Sequence, residues 1–270
     1  MRGFLMNRQF TYYTDVGKGE PVILIHGVGL DLTMWEQQVY ALSSQYRVIS
    51  YDMMGHGKSA CPPVPYTLSQ FVEQLDVLFS NLDIPQAHLI GFSMGGLVAQ
   101  SYAIQHPEKL SSLTLISSVA RRNDEQRKGV LSRIKEVEEH GHKTTINAAI
   151  KRWFTRTFIS EHPEVIRRIR YRLETNNPDA YLAAYRVFAT ADAEVYDRLP
   201  EIKCPTLIVT GELDQGSTPE MAELMGNLIP HSEVVIIPGI KHMLPIEAGG
   251  QLNQLLLSTL EKYSGREWKE

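Results

Sequence analysis

Short continuous apolar runs alternate, through the first 120 residues, with longer stretches whose apolar positions recur every three or four residues. The runs are PVILIHG (21–27), YRVISYD (46–52), AHLIGF (87–92) and LSSLTLISS (110–118). They lack strict polar alternation, so they predict strands covered on both faces. Between them, WEQQVYALSS (35–44), LSQFVEQLDVLFSNLD (68–83) and MGGLVAQSYAIQHP (94–107) predict helices. In the second of these, Phe71, Leu75, Leu78 and Leu82 fall on one helical face. The first residues, MRGFLMNRQFTYYTDVG (1–17), alternate apolar and polar like an edge strand. PTLIVTG (205–211) and EVVIIPG (233–239) resume the strand pattern, and a last helix is predicted over roughly 247–263. Buried strands separated by helices predict the α/β class, a mostly parallel central sheet with helices on both faces.

The alternation stops between Ala120 and Leu199, where four helix-like segments follow one another without a strand: 124–141, 144–158, 163–177 and 178–192. Pro163 and Pro178 stand where a first helical turn tolerates proline. A helical block between strands of one sheet predicts an inserted lid, residues 120–199, over the sheet's carboxyl edge. The core domain is then residues 1–119 and 200–270. No internal repeat or low-complexity linker interrupts the chain.

Composition changes this picture little. Hydrophobic content of 43%, charged content of 21% and a net charge of −4 are those of an ordinary globular chain with no basic excess for nucleic acid. No apolar run is long enough to span a bilayer, and the N-terminus lacks the apolar core of a secretory signal, so the expectation is a cytoplasmic protein without a membrane partner. Cys61 and Cys204 each adjoin proline and lie far apart, with no metal-ligand spacing. They predict reduced thiols, no metal and no cofactor. Charge is unevenly placed: residues 120–199 hold 16 Lys and Arg against 12 Asp and Glu, a net of +4 that leaves −8 for the remainder. Solvated basic helix faces explain this, and so does a lid that draws in an anionic substrate.

One short stretch carries chemistry. GFSMG, Gly91 to Gly95, places Ser93 between the run AHLIGF and a glycine-opened helix, which is the strand–turn–helix context of a G-x-S-x-G nucleophile elbow. Such a turn lifts the hydroxyl away from the sheet. Its glycines let strand and helix pass closely, and the N–H groups that open the helix face an oxyanion formed there. A hydroxyl needs a base. Among nine histidines, His88, His106, His140, His142, His162 and His231 fall at element ends or on polar helices, which predicts solvated surface positions. His26 and His56 precede turn glycines and are expected to hold loops together. His242, in PGIKHMLPIE, follows the last strand at the edge where open α/β sheets bind ligands, and is the candidate base. The loop TGELDQGSTP (210–219) offers Glu212 and Asp214 as the acid that orients it. Asp214, deeper in the loop, is the candidate, and Glu212 is expected to make loop or cap contacts. The second oxyanion donor is sought in HGVG (26–29), with the Val28 N–H joining that of Met94.

The chain order Ser93, Asp214, His242 resembles that of the α/β-hydrolase superfamily. HGVGLDLTMW (26–35) and YDMMGHGKS (51–59) are similar to that family's oxyanion loop and its G-x-G-x-S loop. The resemblance covers nearly the whole chain and is greatest to the lid-bearing branch of enol-lactone hydrolases, small-ester carboxylesterases, cofactor-free haloperoxidase-like esterases and carbon–carbon hydrolases of aromatic breakdown. It implies a Ser93–His242–Asp214 triad. Serine at 93 sets the chain apart from the dehalogenase and epoxide-hydrolase branches, which carry aspartate there, and Phe92 stands where the carbon–carbon hydrolases often have asparagine.

Three functions follow from these residues: hydrolysis of a small ester or lactone through an acyl-enzyme, carbon–carbon cleavage of a vinylogous diketone by the same triad, and ligand binding on a hydrolase scaffold. The partner in each is a small molecule, met by a monomer or homodimer. Trp153, Phe154, Tyr185 and Phe188 are candidates for an acyl pocket, Arg152 and Arg156 for contact with a substrate carboxylate, and Trp35 for bracing the oxyanion loop.

Overall fold

The computed structural model describes residues 2–6 and 9–265. Eight strands form one sheet among these residues: β1 (Arg2–Met6), β2 (Gln9–Val16), β3 (Pro21–Ile25), β4 (Arg47–Tyr51), β5 (Ala87–Phe92), β6 (Leu110–Ile116), β7 (Thr206–Gly211) and β8 (Ser232–Ile237). Their spatial order is β1-β2-β4-β3-β5-β6-β7-β8. From β4 to β8 every neighbouring pair is parallel, whereas β1 and β2 form an antiparallel edge. The sequence predicts one edge strand over residues 1–17, and the fold has two in that stretch. Residues 1, 7 and 8 lie outside the described residues.

Alternate strand residues serve opposite faces. Ile23 and Ile25 join one buried cluster with Phe71, Leu75 and Leu78 of α2 (Leu68–Asn81, after α1, Glu36–Leu42), and with Leu97 and Tyr102 of α3 (Met94–Gln105). Val22 and Leu24 join the other, against Leu42 of α1. The helical block between β6 and β7 comprises α4 (Asp124–His140), α5 (Ile146–Trp153), α6 (Arg156–Glu161), α7 (Pro163–Glu174), α8 (Pro178–Thr190) and the short α9 (Asp192–Val195). Pro163 and Pro178 open α7 and α8. The single helix expected over 144–158 is interrupted at Phe154 and Thr155. Both are extended, and Thr155 caps α6 by accepting from the Phe158 N–H at 3.2 Å. Glu247 accepts the Thr155 N–H at 3.1 Å, so a distant carboxylate helps hold the break open. α10 (Pro219–Leu228), α11 (Leu244–Glu247) and α12 (Gly249–Tyr263) follow, and Leu252, Leu256 and Leu260 of α12 complete the second cluster.

From β3 the chain steps to β4 on one side and then to β5 on the other. This is a topological switch point, and ligands bind outside the carboxyl ends of the strands that meet there. The loops after β3 and β5 hold HGVG and Ser93. Among the described residues no helix is long and apolar enough to cross a membrane.

Candidate active site

Ser93 joins β5 to α3 with φ +54 and ψ −113, a left-handed backbone that L-residues adopt only when their surroundings enforce it. The Ser93 N–H donates to Ile116 O of β6 at 2.9 Å, and its carbonyl accepts from Gly96. The helix that follows runs close over the sheet. A Cβ at Gly95 would stand 2.4 Å from Ile25 O, and one at Gly91 would stand 2.4 Å from Gly95 O. Nearly every residue of α3 is buried, which explains why it is apolar all round.

His242 and Asp214 reach Ser93 from the loops after β8 and β7. His242 Nε2 lies 3.2 Å from Ser93 Oγ, and Nδ1 lies 2.6 Å from Asp214 Oδ2. All three side chains are buried. Asp214 Oδ1 accepts from the N–H groups of Gly216 and Ser217 at 2.8 and 3.0 Å, so the loop itself fixes the carboxylate. The His242 loop is tied down twice: Ser117 Oγ donates to His242 O at 3.0 Å, and Met243 N–H donates to Trp153 O at 3.0 Å. Phe92 supports the imidazole at 4.9 Å between ring centroids and meets Trp35 edge-on at 6.4 Å. Glu212 points elsewhere and accepts the Gly239 N–H at 2.8 Å.

Among the described residues no acceptor meets the N–H of Val28 or of Met94. Val28 lines the cavity beside Ser93, while the Met94 side chain is fully buried beneath it. His26 orders this region. Its Nε2 accepts the Met53 N–H at 2.9 Å, which leaves Nδ1 to donate to Gly27 O at 2.8 Å. Burial first, opposed by the Gly27 bond, depresses its pKa to about 3, so the ring is neutral. His56 packs edge-on against it at 5.1 Å. Asp52 completes the brace, a role that its place after β4 does not by itself reveal. Its Oδ1 accepts from Leu32 N–H and its Oδ2 from Lys58 N–H, both at 2.8 Å. Burial raises its pKa to about 6, against the pull of those two bonds.

A cavity of about 150 Å³ lies over Ser93, His242 and Asp214. Arg152, Trp153, Tyr185 and Phe188 line it, and the Trp153 ring lies 6.1 Å from that of His242. Phe154 does not line it. The chain turns extended after Trp153, so consecutive side chains point apart, and Phe154 is fully buried and stacked on Phe158 at 5.2 Å. Arg156 is exposed on α6 and also lies outside the lining. Two histidines expected on the surface are buried. His88 sits on β5 with Nδ1 2.8 Å from Ser112 Oγ and Nε2 3.1 Å from Glu20, and His142 lies against Tyr181 at 5.4 Å. Arg122, Gln126, Arg133 and Tyr181 also line the cavity. Only the packing of α4 and α8 over the sheet brings them there, so the linear sequence carried no signal for them.

The arrangement provides a hydroxyl in contact with an imidazole, a carboxylate that orients the imidazole, and two unpaired N–H groups near the hydroxyl. Groups so placed are chemically suited to nucleophilic acyl transfer. A sequence model of the alpha/beta hydrolase fold matches residues 20–249. The chain is 32% identical over 257 residues to the (E)-2-((N-methylformamido)methylene)succinate hydrolase of Acinetobacter baylyi, covering 95% of this chain and 96% of that one. It is 29% identical to 3-oxoadipate enol-lactonase 2 of the same organism, covering 93% of each. The crystal structure of the enol-lactonase from Burkholderia xenovorans LB400 superposes with a TM-score of 0.88 at 27% identity, over 96% of this chain and all of that one. The chain belongs to the α/β-hydrolase family and is a hydrolase.

Proposed function

We propose that the protein cleaves a small carboxylic ester or lactone through an acyl-enzyme on Ser93. The observation that carries this reading is the unbroken contact from Asp214 Oδ2 through both nitrogens of His242 to Ser93 Oγ. Asp214 holds the proton on Nδ1, which leaves Nε2 to take the Ser93 proton as Oγ attacks the carbonyl carbon. The N–H groups of Val28 and Met94 receive the oxyanion, each contributing on the order of 3 kcal/mol. His242 then protonates the departing oxygen. Water, deprotonated by the same imidazole, releases the acid and restores Ser93. In a lactone the departing oxygen stays tethered to the acyl group, and water frees the open hydroxy acid in the second half-reaction. Residues 120–199 act as a lid on this reading, with 1–119 and 200–270 as the core that carries the triad. The three proteins named above act on small molecules, two of them being enol-lactonases, which supports the small-substrate reading.

Ser93→Ala is expected to lower p-nitrophenyl acetate hydrolysis by roughly three or more orders of magnitude and to abolish labelling by a fluorophosphonate. Labelling or turnover that survives the substitution would remove Ser93 from the role. Turnover of a ring-fission dienoate without any ester hydrolysis would replace ester cleavage by carbon–carbon cleavage at the same array.

A further inference from the structure

One wall of the cavity over Ser93 carries more positive charge than nearby carboxylates answer. Arg122, Arg133 and Arg152 all line it, the first just before α4, the second on α4 and the third on α5. The Arg122 side chain is 3% exposed. Its Nη1 donates to Asp192 Oδ1 at 2.6 Å and to Phe188 O at 3.0 Å, but its Nη2 is buried without a partner. Asp192 also receives Arg127 at 2.8 Å, so one carboxylate serves two guanidiniums. Arg133 gives its Nε to the Tyr185 hydroxyl at 2.9 Å, a neutral acceptor. Among the described residues, no carboxylate forms an ion pair with Arg133 or Arg152. Burial, and next the charge of Arg133, depress the pKa of Arg152; Tyr185, Tyr181 and, last, exposed Glu136 oppose them, and Glu136 lies beyond ion-pair distance. Among the described residues, the single carboxylate in the cavity lining is Asp214, already held by His242.

Like charges brought together out of water need a counter-charge, and arginine's planar fork matches a carboxylate with two parallel bonds. We propose that Arg133 and Arg152, with Arg122 Nη2 behind them, form a subsite for a free carboxylate on the substrate, so that the enzyme acts on half-esters of dicarboxylic acids or on lactones that retain a carboxylate. The ester carbonyl lies at Ser93 and the remote carboxylate lies on the arginines. Val137, Ala149 and Phe188 line the same cavity and suit a short aliphatic chain between the two ends. The inference rests on the ester and lactone reading above and adds the charge of the substrate to it.

The test compares monomethyl glutarate with the methyl ester of glutaric acid monoamide, two esters of equal length that differ by one charge. The wild-type kcat/KM is expected to favour the acid by about tenfold to a hundredfold, the range of a charge-assisted hydrogen bond. Arg133→Gln and Arg152→Gln should each lower that ratio about tenfold, and Arg152→Lys should retain more of it. Both substrates are measured on the same preparation, so partial misfolding leaves the ratio unmoved. A wild-type ratio near one, or a ratio unchanged in the double Gln variant, overturns the subsite while leaving ester hydrolysis intact. If neither ester is turned over at Ser93, the ester reading fails, and titration calorimetry with glutarate decides the subsite by itself. Binding weakened about tenfold by Arg152→Gln sustains it, and absent or unaltered binding overturns it.

Discussion

Asp214 serves two masters, and their demands can be separated by one atom. Its Oδ1 satisfies the Gly216 and Ser217 N–H groups, while Oδ2 meets His242 Nδ1. Asparagine keeps an oxygen for the loop but turns an amide NH₂ toward Nδ1. That forces the imidazole proton onto Nε2, where it opposes removal of the Ser93 proton. Asp214→Asn is therefore expected to lower kcat by about 10⁴-fold, while the melting temperature stays within a few degrees of wild type. A steady-state assay and a thermal melt on the same sample check both halves. Activity within tenfold of wild type would show that His242 acts without this partner. Ser93 was legible in the sequence because its geometry is local: GFSMG lies within one strand–turn–helix. His242 and Asp214 were legible only through their positions just after strands.

Elements pack here through charges that the sequence separates widely. Asp192, at the first residue of α9 and fully buried, accepts the Arg122 N–H at 2.9 Å, Arg122 Nη1 at 2.6 Å and Arg127 Nη2 at 2.8 Å. One carboxylate thereby ties the start of α4 to the start of α9. Asp192→Ala would leave Arg122 buried with the Phe188 carbonyl as its remaining acceptor. Removing one partner of such a pair costs about 3–5 kcal/mol. Urea unfolding should show that loss, and a loss under about 1 kcal/mol, the scale of a surface pair, would mean that this junction is held by apolar packing instead. Seventy residues separate Arg122 from Asp192, and no periodicity links them. For the same reason the break at Phe154 and Thr155 was hidden: no Gly or Pro marks it, and Glu247, which stabilises it, lies in the last third of the chain. The strands were legible because each is a continuous apolar run. Of the lining arginines, Arg152 was a candidate from the sequence, whereas Arg122 and Arg133 were not, because an arginine is read as solvated until a neighbouring helix covers it.

At the scale of the whole molecule, the loops after β3 and β4 give stability a dependence on pH. His26 and His56 are fully buried and both are held at about 3, burial being the largest cause for each and the charge of the other histidine the next for His56. Free in the unfolded chain they titrate near 6.5. Between pH 6.5 and 3 the unfolded chain therefore binds a proton at each position that the folded chain refuses. Stability from these two groups is complete above pH 6.5 and is lost on acidification, at about 1.4 kcal/mol per pH unit for each. Asp52 acts in the opposite sense. Burial raises it to about 6 from an unfolded value of 3.8, so between those limits the folded protein holds the extra proton and gains on acidification. Two histidines against one carboxylate leave a net loss of about 1.4 kcal/mol per unit from pH 6 to 4 for this cluster. Comparison with His56→Gln isolates one share of it. Glutamine carries no proton in that range; the exchange gives up the His56 Nδ1 bond to Met54 O at 3.0 Å, which shifts the whole curve rather than its slope, while Nε2 has no partner to lose. Urea unfolding at pH 7, 6, 5 and 4 should show wild type losing about one proton's worth of slope more than the variant, roughly 1.4 kcal/mol per unit. Parallel curves for the two proteins would mean that His56 takes up its proton inside the fold, and that the brace behind the Val28 loop is open to water.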